Sequence, residues 1–349
     1  MILDLSPEIA AGQADHAPRS RPGHGVVPRA GGRGVLNIGL AGTGHWARIV
    51  HAPALASTPG IRLAGVWGRN ERAAAALAGS HGCVPYRDFD DLLASVEAVA
   101  FSMPPDVQAG LAARAAAAGK HLLLEKPIAT TADAADALAA AVQAAGVASV
   151  VFFTGRFQDD MRAWLAAAAG DQWLGGQAVW LGSALAPGNP FNTPWRREKG
   201  ALWDLAPHLV SLLMASLGPV RSVTADAGPG DVTHLILHHE GGASSAVTVT
   251  LGAAAVSDGV ELWLWGDIGR SKAPGPTRDP VAALRRALTE LAANVRAGEP
   301  RHECDVFFGR AVGAVLTEAQ RQLDSARGHW FVSVAPGGSA NADAGGDEV

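Results

Sequence analysis

The chain has 349 residues, 48% of them hydrophobic and 17% charged, with a formal net charge of −5. That length buries a large core without cross-links and suits two domains. Mild acidity argues against nucleic acid as a partner, and Cys83 and Cys304, with no C-x-x-C spacing, offer neither a disulfide framework nor a zinc site.

Residues 1–34 mix Pro, Gly, His and Arg without a continuous apolar run, so they read as a disordered extension rather than a signal peptide. From residue 35, apolar runs of strand length, 35–41, 61–67, 98–102, 121–124 and 148–153, alternate with Ala-rich helical stretches at 45–57, 70–80, 105–118 and 131–145. Short, continuously apolar strands separated by helices predict a parallel sheet covered on both faces, a Rossmann-type doubly wound domain over 35–150. The most membrane-like stretch, Ala137 to Phe153, contains Gln143 and Gly146 and reads as a buried helix followed by a strand. No membrane partner is expected, and with two cysteines and no disulfide framework a reducing cytoplasm is the expected setting.

The first strand runs into Gly42-Thr43-Gly44-His45-Trp46-Ala47. In this G-x-G-x-x-A pattern the first Gly allows a tight turn and the second lets backbone N–H groups approach a pyrophosphate. The small third residue lets helix and strand pack closely, and the helix N-terminus favours the anion. The second strand ends in Gly68-Arg69-Asn70, without the acidic residue that holds the ribose 2′-OH of NAD. Arg69 suits a 2′-phosphate instead, which favours NADP over NAD. The alternative is an arginine capping a solvated loop.

The chain has only four lysines, and Lys126 follows the apolar run Leu122-Leu123-Leu124 in Glu125-Lys126-Pro127. A cation at a strand's carboxyl end lies where open α/β sheets bind ligands. Its bland alternative is a structural cation tied to Glu125.

After about residue 155 the pattern changes. Helices are predicted at 158–169, 201–217, 279–297 and 304–326, and strands at 177–184, 220–227, 232–239, 244–251 and 259–265. Grouped strands predict an α+β domain over 151–334 with a largely antiparallel open sheet, followed by a disordered tail over 335–349. Asp204 and His208 stand four apart and share a face if both are helical. With Pro207 between them, either the helix kinks there or it starts near Pro207 with Asp204 just outside. A buried ion pair or a helix cap is the bland reading. Arg156, Trp195 and Arg196 are weaker candidates for the substrate pocket, with a junction role open for Arg156 and a surface loop for the other two. Trp263 and Trp265 share one sheet face, which reads as core or oligomer contact. His234, His238 and His239 lack supporting carboxylates, so no metal site is expected.

The order G-x-G-x-x-A, His51-Ala52-Pro53-Ala54-Leu55, Lys120-His121-Leu122-Leu123-Leu124-Glu125-Lys126-Pro127 and Asp204-x-x-x-His208 resembles the glucose–fructose oxidoreductase/inositol dehydrogenase (Gfo/Idh/MocA) family over about residues 35–334. The resemblance implies an NAD(P)-dependent oxidoreductase of a sugar, cyclitol or related small molecule, working as a homodimer or homotetramer. It implies that Lys126, Asp204 and His208 line the substrate pocket. The cofactor is expected against Gly42, Thr43, Gly44, His45 and Trp46, against Gly68, Arg69 and Asn70, and against Glu125, Lys126 and Pro127. His208 is expected to move the hydroxyl proton, Lys126 to hold the substrate oxygen, and Asp204 to orient His208, Lys126 or a neighbouring hydroxyl. The glycine-rich approach to the Asp is reduced to Lys199-Gly200, and Ser211 stands where relatives often carry an acid. Glycosidic cleavage through transient redox, imine or biliverdin-like reduction, and a non-catalytic regulator are the competing readings.

Overall fold

A computed structural model describes residues 34–276 and 279–326. The expected tail at 335–349, residues 327–334 and all of the expected extension except Gly34 lie outside the described residues. Six strands, β1 Leu36–Ala41, β2 Ile61–Trp67, β3 Val84–Tyr86, β4 Ala98–Phe101, β5 His121–Glu125 and β6 Ser149–Phe152, form a parallel sheet in the order β3-β2-β1-β4-β5-β6. This is the doubly wound arrangement, whose order reverses between β1 and β4. Strands β4 and β6 are buried at every position, because helices cover both faces.

The crossovers are a π-helical turn, Ala47–His51, continuing into α1 Ala52–Ser57, then α2 Glu71–Ser80, α3 Phe89–Ser95, α4 Pro105–Ala117 and α5 Ala132–Ala145. Side chains of Asn70, Asp88 and Thr131 cap α2, α3 and α5, taking up backbone N–H groups the helices leave free. The apolar stretch 137–153 is the end of α5 followed by β6. The short β3 and α3 were not foreseen: β3 has three residues, none of them buried, so it carries no apolar run.

The second sheet comprises β7 Trp173–Leu181, β8 Val220–Ala227, β9 Thr233–His239, β10 Ser244–Thr250, β11 Gly259–Gly266 and β12 Gly269–Lys272, in the order β12-β11-β7-β10-β9-β8. Four of its pairings are antiparallel and one, β7 with β10, is parallel, so it is mixed though mostly antiparallel. Around it lie α6 Asp159–Ala168, α7 Pro194–Asp204, α8 Ala206–Leu217, α9 Pro280–Ala297 and α10 Val306–Ala326. The helical stretch predicted over 201–217 is two helices, with Leu205 between them and Pro207 in the first turn of α8. Asp204 therefore sits just outside the helix that carries His208. The last two helices do not belong to the second sheet alone: α9 packs on α1 and β6, and α10 on α5 as well as β8.

Candidate active site

The glycine turn shapes a groove of about 290 Å³ at the carboxyl ends of β1, β2 and β4. Gly42 has φ +134°, and a Cβ there would collide with the carbonyl oxygen of Ser102. A Cβ on Gly68 would come within 2.7 Å of the Thr43 methyl group, whereas one on Gly44 would meet nothing within 4 Å. The turn is thus closed beneath and open above Gly44, directly before a helix, and this fits a dinucleotide diphosphate. Gly42–Gly44 and Gly68–Asn70 line the groove as expected, joined by Trp67, Ser102, Met103, Pro104 and Val107. Arg69 is exposed there, while the Asn70 side-chain oxygen is engaged by the Ala73 N–H as the α2 cap.

His45, Trp46, Glu125, Lys126 and Pro127 do not line this groove. His45 and Trp46 meet the edge of Phe191 instead, at ring separations of 5.3 and 6.1 Å. Pro127 is buried. Glu125, the last residue of β5, is fixed on all sides. Its carboxylate accepts the Trp46 indole N–H at 2.8 Å and lies 2.7 Å from His51 Nε2. Its backbone N–H donates to Gln108 Oε1 at 2.9 Å, and its carbonyl accepts from Gln108 Nε2 at 2.8 Å. Gln108 on α4 is fully buried. Replacing it with Leu leaves these groups unsatisfied and is expected to lower the unfolding free energy by about 2 kcal/mol. Denaturant titration reads this as a lower midpoint, and an unchanged midpoint would contradict it.

Lys126 reaches across to the second lobe. Its ammonium donates to the Asp204 carbonyl at 2.6 Å and to the Asp204 carboxylate at 3.0 Å, with the two side chains only 12% and 8% exposed. Arg196 grips the same carboxylate from the other side, Nε at 2.6 Å and Nη2 at 3.2 Å. Burial pushes the Asp204 carboxyl up, but Lys126 and Arg196 outweigh it and hold it well below the usual range. Asp204 is therefore an ionised anchor between two cations.

His208 is half-buried one turn beyond Asp204, its ring 5.5 Å from that of Trp180. Burial, then the charge of Lys126, lower its pKa well below 6.5, and Asp204 compensates only in part. At neutral pH the imidazole is uncharged and free to accept a proton.

Arg196 thus joins the predicted cluster through Asp204. Arg156 does not: it is 5% exposed, bonded to Glu303 at 3.0 Å and to the Ser211 carbonyl at 3.4 Å, with Phe308 beneath it, in a junction role. Trp195 is half-buried against the core, and its indole nitrogen is buried without a partner among the described residues. Gln108, Phe191 and Ser102 were missed. Only Gln108 left a trace in the sequence, as the one amide side chain in the Ala-rich stretch 105–118.

An oxidoreductase-family model with an NAD-binding Rossmann fold, GFO_IDH_MocA, matches residues 36–153, and the GFO/IDH/MocA C-terminal domain matches residues 137–271. An inositol 2-dehydrogenase of Rhizobium meliloti (strain 1021) is 30% identical over 227 residues, 61% of this chain and 68% of its own length. The uncharacterized oxidoreductase YdgJ of Escherichia coli (strain K12) is 29% identical over 58% of this chain, and the match spans 62% of that relative. The uncharacterized oxidoreductase sll0816 of Synechocystis sp. (strain ATCC 27184 / PCC 6803 / Kazusa) is 32% identical over 55% of this chain, and the match spans 54% of it. In fold, the chain is similar to GenD2 from gentamicin A biosynthesis, solved with NAD, at TM-score 0.73 and 23% identity over 87% of this chain and 98% of that one.

Proposed function

The chain belongs to the Gfo/Idh/MocA family of NAD-binding oxidoreductases, and from that premise we propose a dehydrogenase or reductase acting on a hydroxyl or carbonyl carbon of a sugar, cyclitol or related small molecule. The observation that carries this reading is the 3.0 Å pair between Lys126 on the dinucleotide-groove lobe and Asp204 on the other, with neutral His208 one turn away. A bound nicotinamide supplies the acceptor or donor of hydride. The residues here supply the rest.

Lys126 has three ammonium hydrogens, and two are directed at Asp204. The third is free to donate to the substrate oxygen and to stabilise negative charge developing there. In the oxidative direction His208 takes the hydroxyl proton, and in the reductive direction it returns it. Asp204, held ionised by two cations, orients Lys126 and is no proton acceptor itself. Turnover of a panel of cyclic polyols and keto-sugars with either dinucleotide tests this reading, and a panel that gives no turnover would overturn it.

The dinucleotide is NADP in preference to NAD. Gly68-Arg69-Asn70 offers an exposed guanidinium and no carboxylate at the groove. Arg69→Asp is expected to lower the NADP/NAD ratio of kcat/KM by about 10- to 100-fold, the scale of a lost hydrogen bond to a charged group. An unchanged ratio would remove Arg69 from the assignment. A homodimer or homotetramer pairs through the open face of the second sheet, where strand register aligns Ile236, Ala246, Gln177 and Trp263 in one row. Ile236 is 43% exposed, and α8 covers the opposite face of β7 and β10.

A further inference from the structure

We infer that Trp46 is a positioning residue that sets Lys126 through the Glu125 carboxylate, and not a contact of the dinucleotide. The inference rests on the reading of Lys126 given above. Although Trp46 stands inside the glycine motif, the groove runs past Thr43 and Gly44 and is not lined by the indole. Its N–H points to Glu125 Oε1, which His51 Nε2 also approaches. In an α-helix, residues five apart lie about 140° apart around the axis and cannot converge on one atom. The wider π-helical turn at Ala47–His51 brings Trp46 and His51 onto one face, so the distortion serves this convergence.

The network is polar where packing alone would favour apolar groups. His51 is fully buried, and among the described residues its Nδ1 has no partner and Glu125 is the one polar contact its ring makes. The other Glu125 oxygen, Oε2, lies 3.3 Å from the backbone N–H of Lys126. A carboxylate held at Oε1 by two side chains therefore fixes the start of the Lys126 residue itself. The same indole also meets Phe191, whose ring lies 5.2 Å from the Arg196 guanidinium that holds Asp204. Trp46 thus joins both chains of contact that end at the Lys126 ammonium.

The test uses Trp46→Phe, which keeps a ring against Phe191 and removes the N–H. Expected is a fall in kcat of about 10- to 100-fold, the range for a slightly misplaced reacting group, with substrate KM and the calorimetric NADP Kd within about twofold. Labelling of Lys126 by an amine-reactive ester, read by peptide mass spectrometry, should rise severalfold, with Lys120, Lys199 and Lys272 as internal references. Glu125→Gln should reproduce the pattern, and the double variant should be no worse than the worse single one. A weakened NADP Kd with unchanged kcat, an unchanged Lys126 labelling rate, or additive single effects would each overturn the inference. Should Trp46→Phe not fold, labelling of Glu125→Gln decides alone. If the wild type turns over nothing in the panel, the functional reading fails while labelling and calorimetry still decide this one.

Discussion

Lys126→Ala is expected to lower kcat by about 10²- to 10³-fold, the usual consequence of removing one donor to a developing oxyanion. The NADP Kd should stay near the wild-type value, because the groove is lined by the glycine turn and the ends of β2 and β4, without Lys126. The fold should tolerate the change, since Arg196 still pairs with the Asp204 carboxylate through two hydrogen bonds. A second signature separates this from a general loss of structure. After burial, the Lys126 charge is the largest cause of the low His208 pKa. Removing it should raise that pKa and move the acid limb of the remaining pH–rate profile to higher pH. A variant with full activity would exclude Lys126 from the chemistry, and an unmoved acid limb would separate Lys126 from His208.

The second large effect is expected at His208. His208→Asn keeps a polar side chain but removes the proton acceptor, and general-base loss costs about 10²- to 10⁴-fold in kcat. In the wild type, activity should stay level through neutrality and fall only well below pH 6.5, because the imidazole remains uncharged there. Stability follows the same sign. Since the folded pKa is depressed, the unfolded chain binds the extra proton, and stability declines as pH falls below 6.5 until the folded value is passed. Asp204, also depressed, contributes stability above 3.8 that is lost at still lower pH. Thermal melts across this acid range should therefore show a shallower decline in His208→Asn than in the wild type. Equal slopes would contradict the half-buried, uncharged histidine.

The parallel sheet was legible because its strands are buried on both faces and stand in the sequence as unbroken apolar runs, Leu122-Leu123-Leu124 being the clearest. Edge elements lacked that signal. Strand β12, Gly-Arg-Ser-Lys, and the three-residue β3 carry no alternation that separates them from loops. The parallel partnership of β7 with β10 joins residues more than 60 positions apart, and no local pattern encodes it. In the site, Lys126, Asp204 and His208 stood out as charged or titratable groups beside strand ends and helix starts. Pro207 correctly left two geometries open, and the structure takes the one in which α8 begins beside it. Glu125 and Trp46 were expected at the cofactor, and the structure joins them to each other by a hydrogen bond. Their hydrogen bond spans 79 residues and depends on a π-helical turn that no residue type in Ala47–His51 announces. Gln108 and Phe191 were missed for the same reason, since their partners come from other elements.

The most direct test of hydride transfer at this site is isotopic. A polyol or sugar from the panel, carrying deuterium on the carbon of the reacting hydroxyl, is incubated with the protein and NADP, and the dinucleotide is analysed by mass spectrometry. Reduced dinucleotide carrying one deuterium, absent with Lys126→Ala, is the predicted result. Deuterium that never enters the dinucleotide, while substrate is converted all the same, would contradict it.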